Sequence, residues 1–130
     1  MKLLRPSAAA LVAASIALSS CASVTGGALI RKGEQPATLV IRNTSGVGID
    51  VVTLSRCSAL SYGLNRLGGS QSEIPNNSSM SFTIGAGCWD LMVGRTGTCT
   101  HESCNWLQSP ANRFTIAPGQ RQVITYGRNL

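Results

Sequence analysis

Met80-Ser81-Phe82-Thr83-Ile84-Gly85-Ala86-Gly87-Cys88-Trp89-Asp90-Leu91-Met92-Val93-Gly94-Arg95, residues 80–95, is the stretch whose reading decides the fold. Up to Ile84, apolar residues alternate with Ser and Thr. From Cys88 onward, Trp89, Leu91 and Val93 fall in phase. Successive side chains of a strand point to opposite faces, so a period of two marks a half-buried strand and not a helix. Gly85-Ala86-Gly87 breaks the alternation, and the two halves read as a hairpin with Trp89 on its core face. Asp90, on the other face, is placed to pair with an Arg of a neighbouring strand.

The same pattern extends in both directions. Ala37 to Arg42 is rich in β-branched residues, Asn43-Thr44-Ser45-Gly46 is turn-prone, and Val47 to Leu54 resumes with Ile49 and Val51 opposite Asp50. This predicts another hairpin. A third joins Asn112–Ile116 to Gln120–Tyr126 through Ala117-Pro118-Gly119, where Pro fixes φ and Gly admits positive φ. Ser55 to Ser79 is polar and glycine-rich, and reads as loop or edge structure. Six short strands separated by turn signals predict an all-β domain, a small antiparallel β-sandwich with a small β-barrel as the alternative.

The chain before this body has a different character. Lys2 and Arg5 precede an apolar run, Ala8 to Leu18, which is the length of a signal-peptide core and too short to span hydrocarbon, a task for about 20 apolar residues. Leu18-Ser19-Ser20-Cys21 follows, and it resembles the lipobox of bacterial lipoproteins. The resemblance implies cleavage of residues 1–20 and lipidation at Cys21. With two or more acyl chains the anchor is stable. Ala22 and Ser23 follow the cysteine where inner-membrane lipoproteins often carry Asp, so the resemblance implies the outer membrane and its periplasmic face. Residues 21–36 then read as a lipid-anchored flexible tether, and 37–130 as the sandwich. From about residue 38 to 126 the chain also loosely resembles small β-sandwich lipoproteins, through TLVIRNTSG, SYGLNRLGG and SFTIGAGCWDLMVG; that resemblance implies a fold and a setting, and no catalytic motif.

After residue 20 there remain nine basic and five acidic side chains, a net of +4. The arginines are scattered singly, without the clustered bases and interleaved aromatics of a nucleic-acid surface. Cys57, Cys88, Cys99 and Cys104 are an even set in an oxidising compartment and predict two disulfides. Three connectivities are open. The favoured one closes a small loop with Cys99–Cys104 and ties distant strands with Cys57–Cys88, the latter worth about 3–4 kcal/mol in the chain-entropy model.

Cys99-Thr100-His101-Glu102-Ser103-Cys104 is the densest cluster of reactive side chains, yet its C-x-H-x-x-C spacing is not a familiar zinc pattern, and a disulfide would consume its thiols. His101 is the sole histidine, so any nucleophile–base scheme must run through it. No G-x-S-x-G elbow is present. No metal or other cofactor is expected. These residues point to a lipid-anchored binding or assembly module without catalysis, meeting an envelope protein or glycan. The 96–111 loop is the expected contact surface, with His101 and Trp106 foremost and Arg95 and Arg113 flanking. Trp106 suits this role because it combines apolar area with a polar handle. The alternatives are an inhibitor of a cell-wall hydrolase, by analogy with small stapled β lipoproteins that block lysozyme, and an enzyme using His101.

Overall fold

The computed structural model describes residues 26–103, 105–128 and 130. The expected signal peptide, the expected lipidation site Cys21, and Cys104 lie outside them. The described residues form seven strands and no helix: β1 (Pro36–Asn43), β2 (Val51–Arg56), β3 (Ser78–Gly85), β4 (Gly87–Arg95), β5 (Leu107–Gln108), β6 (Asn112–Ile116) and β7 (Arg121–Tyr126). They make two sheets and not a closed barrel. One sheet has the order β3-β1-β7. The other has β2-β4-β5, with β6 also pairing β4.

The strands stand where the period-two segments predict them, but one phase differs: Ile49 is buried while Val51, expected on the same face, turns outward and Val52 and Leu54 fill the core. The expected hairpins do not form. β1 pairs β3, β2 pairs β4, and β6 pairs β4, while β7 returns to β1 in parallel register. Each expected hairpin turn instead carries the chain from one sheet to the other. Ile84 and Trp89 therefore face each other across the core. Periodicity specifies which face of a strand is buried, and both arrangements satisfy it. At the Gly85–Gly87 corner, Gly87 takes φ 141°, a conformation open to glycine. The same corner is fixed by the Trp89 indole N–H, which donates to the Gly85 carbonyl at 2.9 Å.

Leu39 and Ile41 of β1, Ile84 of β3, Val52 and Leu54 of β2, and Trp89, Leu91 and Val93 of β4 fill the space between the sheets. Asn43, read as a turn residue, is fully buried at one end of this core. Its Nδ2 donates to the Val47 and Ile74 carbonyls at 2.7 and 2.9 Å, and its Oδ1 accepts from the backbone N–H and hydroxyl of Ser45. One side chain thus ties β1 to the turn after it and to the segment before β3, beside the Ile49–Ile74 bridge.

Residues 26–35, expected as tether, lie along the sandwich. The Arg56 N–H donates to the Gly26 carbonyl, the Gly85 N–H to Leu29, and the Ala86 N–H to Gln35. Leu29 packs against the core. Glu34 accepts both terminal nitrogens of Arg56, at 2.7 and 2.5 Å, and the same guanidinium donates to the Ala28 carbonyl and lies 4.5 Å over the Trp89 ring. Cys57 and Cys88 form the expected disulfide, extending the β2·β4 ladder by one step. Cys99 is disulfide-bonded as well.

Two expectations follow. Asn43→Ala removes one of two donors from each of the Val47 and Ile74 carbonyls, which keep the Ser45 hydroxyl and the Ile49 N–H, and the lost hydrogen bonds should lower the unfolding free energy by about 1–2 kcal/mol; urea unfolding measures it, and an unchanged midpoint would refute it. Glu34 is held below the ordinary carboxylate range by its hydrogen bonds from Arg56, and Asp90 by those from Arg113. On acidification the unfolded chain therefore takes up these protons first. The stabilisation is complete above the ordinary glutamate value of 4.5 and is lost as pH falls through the lower folded values. Glu34→Gln should be less stable at neutral pH and show a shallower acid limb; parallel acid limbs for the two proteins would contradict this.

Candidate functional site

β4 is the longest strand, and its Arg95 end carries the site. Trp89, Leu91 and Val93 point into the core, so Asp90, Met92 and Gly94 face outward, beside Val51 and Thr53 of β2. Past Arg95 the chain leaves the sheet as an arm, residues 96–106, and comes back as β5 against Gly94 and Arg95. The arm is built by local hydrogen bonds. Asp50 accepts the Thr96 N–H at 2.7 Å. The Thr98 N–H donates to the Asn105 side chain, and the Asn105 N–H to the Thr98 carbonyl. At the tip the Thr100 N–H donates to the Ser103 carbonyl at 2.8 Å, closing a turn on which His101 and Glu102 are exposed.

Two glycines let the arm lie so close. A Cβ on Gly94 would stand 2.6 Å from the Leu107 carbonyl oxygen, and one on Gly97 would run into the backbone and side chain of Asn105. Beyond β5, Ser109 is buried. Its hydroxyl accepts the Val93 N–H at 3.0 Å and its own N–H donates to the Val93 carbonyl at 2.8 Å, which seats the crossing from β5 to β6 along one edge of β4.

Between arm and sheet lies a groove of about 310 Å³. Val51, Met92, Trp106 and Leu107 give it an apolar wall; Arg95, Thr96 and Gln108 stand at its polar margin. Trp106 is 67% exposed, so it does not fold into the sandwich. Gln108 reaches across to the Met92 sulfur at 3.3 Å. Of the residues read as a contact surface, Arg95 and Trp106 line the groove. Arg95 is held there by the Gly48 carbonyl and Glu73, both at 3.1 Å. His101 stands on the arm tip outside the lining. Arg113 is engaged elsewhere on the same sheet face, bound to Asp90 at 2.9 and 3.0 Å as the facing register of β4 and β6 allows. Val51 and Met92 carry no functional signal in the sequence, since each is one more apolar residue in a strand. Only the outward phase of Met92 relative to Trp89 and Val93 could have marked it.

Among the described residues, no group of three or more His, Cys, Asp or Glu is arranged to hold a metal ion, and no helix is long and apolar enough to cross a membrane. Compared with known proteins, the chain matches no family model, no curated protein and no solved structure.

The close approach at Gly97 makes a specific demand. Gly97→Ala should loosen the arm without touching the sandwich, raising amide exchange at Thr98 and Asn105 by about tenfold or more while leaving β2 and β4 protected. Exchange read by NMR checks this, and unchanged protection at Thr98 would show that the arm absorbs the methyl group.

Proposed function

We propose that this protein is a membrane-anchored envelope lipoprotein acting without catalysis, as a binding or assembly module that holds its partner in the groove under the 96–106 arm. One observation carries the reading: an apolar groove bordered by an exposed Trp106 that a hydrogen-bonded arm holds out from the sandwich. Exposed aromatics over preformed apolar hollows are where binding energy concentrates, because they desolvate large area at little conformational cost. Loops held on a rigid scaffold commonly carry such contacts. The partner that fits is an envelope protein or glycan presenting an apolar group to the groove, with hydrogen bonding at the Thr96 and Gln108 margin. Lipidation at Cys21 would keep this encounter close to the membrane, since Cys21 lies five positions before the docked Gly26, at most about 17 Å of chain.

Photocrosslinking in intact cells tests the proposal. A benzophenone side chain at Gln108 should yield one recurrent adduct that a probe at Val123, on the other sheet, does not give. Trp106→Ala should cut its yield by about tenfold, as expected for the loss of an aromatic anchor. Equal adducts from both positions, or a yield indifferent to Trp106→Ala, would rule out the groove as the contact surface.

A further inference from the structure

The loop that follows β2 carries Leu60, Tyr62 and Leu64, which are 89%, 46% and 63% exposed. Nothing in the core needs them outside, and an apolar cluster on a short loop is costly to leave in water. Its position is informative. A Cβ built on Gly26 would lie 3.4 Å from the Gly63 Cα, so the loop sits against the point where the described chain begins. Hydrogen bonds fix the loop at both of its ends. The Ala59 N–H donates to the Arg56 carbonyl, Asn65 hydrogen-bonds the backbone of Asp50 and Val52, and the Arg66 guanidinium donates to the Gly27 and Leu54 carbonyls. Arg31 lies beside Gly27, its guanidinium 3.7 Å from a Cβ placed there, and Lys32 is exposed next to it.

We propose that the 60–64 loop is a second membrane contact, which seats Leu60, Tyr62 and Leu64 in the interfacial layer of the bilayer that holds the lipidated Cys21. The inference rests on the lipidation reading. Cys21 lies five residues before Gly26, at most about 17 Å of chain, so a bilayer at Cys21 is within reach of Gly63. The side chains suit that layer. Leu enters the acyl boundary, Tyr rests at the headgroup level with its ring in the apolar region and its hydroxyl in water, and Arg31 with Lys32 meets lipid phosphates. A lipid anchor alone leaves a domain free to swivel. An apolar loop beside the anchor fixes which face it turns to the membrane, and with it the direction in which the groove opens.

Depth-dependent quenching tests this on the full-length lipidated protein in phosphatidylethanolamine–phosphatidylglycerol vesicles, in a Trp106→Phe background so that the buried Trp89 is the only other indole. Leu60→Trp and Leu64→Trp should each be quenched several-fold more by lipids brominated near the headgroup than Val123→Trp on the far sheet. Palmitate labelling in cells, present in the wild type and absent in Cys21→Ser, reports separately on the anchor. Labelling with several-fold quenching at both loop positions supports the proposal. Labelling with quenching no greater than at Val123 overturns the loop contact and leaves the anchor standing. Absence of labelling overturns both.

Discussion

Arg56 is the constraint on which the remaining structure depends. Its guanidinium is nearly buried, and a buried charge is tolerated only when its donors are met and an opposite charge lies close. The chain meets that demand with Glu34, the Ala28 carbonyl and the face of Trp89. Each partner commits a different part of the fold. Glu34 and Ala28 bind the N-terminal segment to the four-stranded sheet, and Trp89 fixes the corner where the chain changes sheets. Cys57 and Cys88 lie one residue beyond Arg56 and before Trp89, so the covalent link and the ionic one close the same end of the β2·β4 pair.

The opposite end of the core is held differently. Asn43 uses a neutral amide to bring β1, the turn after it and the segment before β3 into one place. From β1 to β4 the chain alternates between sheets, and such a path needs these devices. None of these four strands shares a ladder with the next, so the turns between them contribute few backbone hydrogen bonds, and side chains must supply them. The most exposed large apolar side chains among the described residues, Trp106, Leu60 and Leu64, lie in two connections: the arm after β4 and the loop after β2. The first carries the groove and Trp106. The second carries the apolar cluster beside Gly26. Both connections belong to the four-stranded sheet, and the outer surface of β3-β1-β7 is left with Ser, Thr, Val and Arg side chains.

The alternation of Trp89, Leu91 and Val93 with Asp90 and Met92 was enough to identify strands, their buried faces and an all-β class, because burial of one face imposes a period of two whatever the partner. Cys57–Cys88 was the favoured one of three pairings, and the phase of Asp90 implied an Arg partner on a neighbouring strand, but that this arginine is Arg113, expected instead on the contact surface, came from the structure. The expected hairpins did not form. Turn residues such as Gly85-Ala86-Gly87 specify that the chain reverses, but a reversal within a sheet and a crossing between sheets bury the same residues. The fate of residues 26–35 was hidden for a related reason. Three glycines and mixed polarity describe a tether equally well as a segment docked through backbone carbonyls, which have no side-chain signature.

What the sequence by itself determined is therefore local: the inward faces of β3 and β4, where the chain turns, which stretch ahead of Cys21 resembles a lipoprotein leader, and which loop carries Trp106. What only the tertiary structure decided is long-range pairing. β7 lies parallel to β1, β4 stands between β2 and β6, Glu34 reaches Arg56, and Val51 and Met92 meet Trp106 across a groove. Alternation is set by each residue's own contact with water or core and is written along the chain. The choice of neighbour is set by how buried charge, a Trp corner and two sheet faces can be satisfied together, which no single segment encodes.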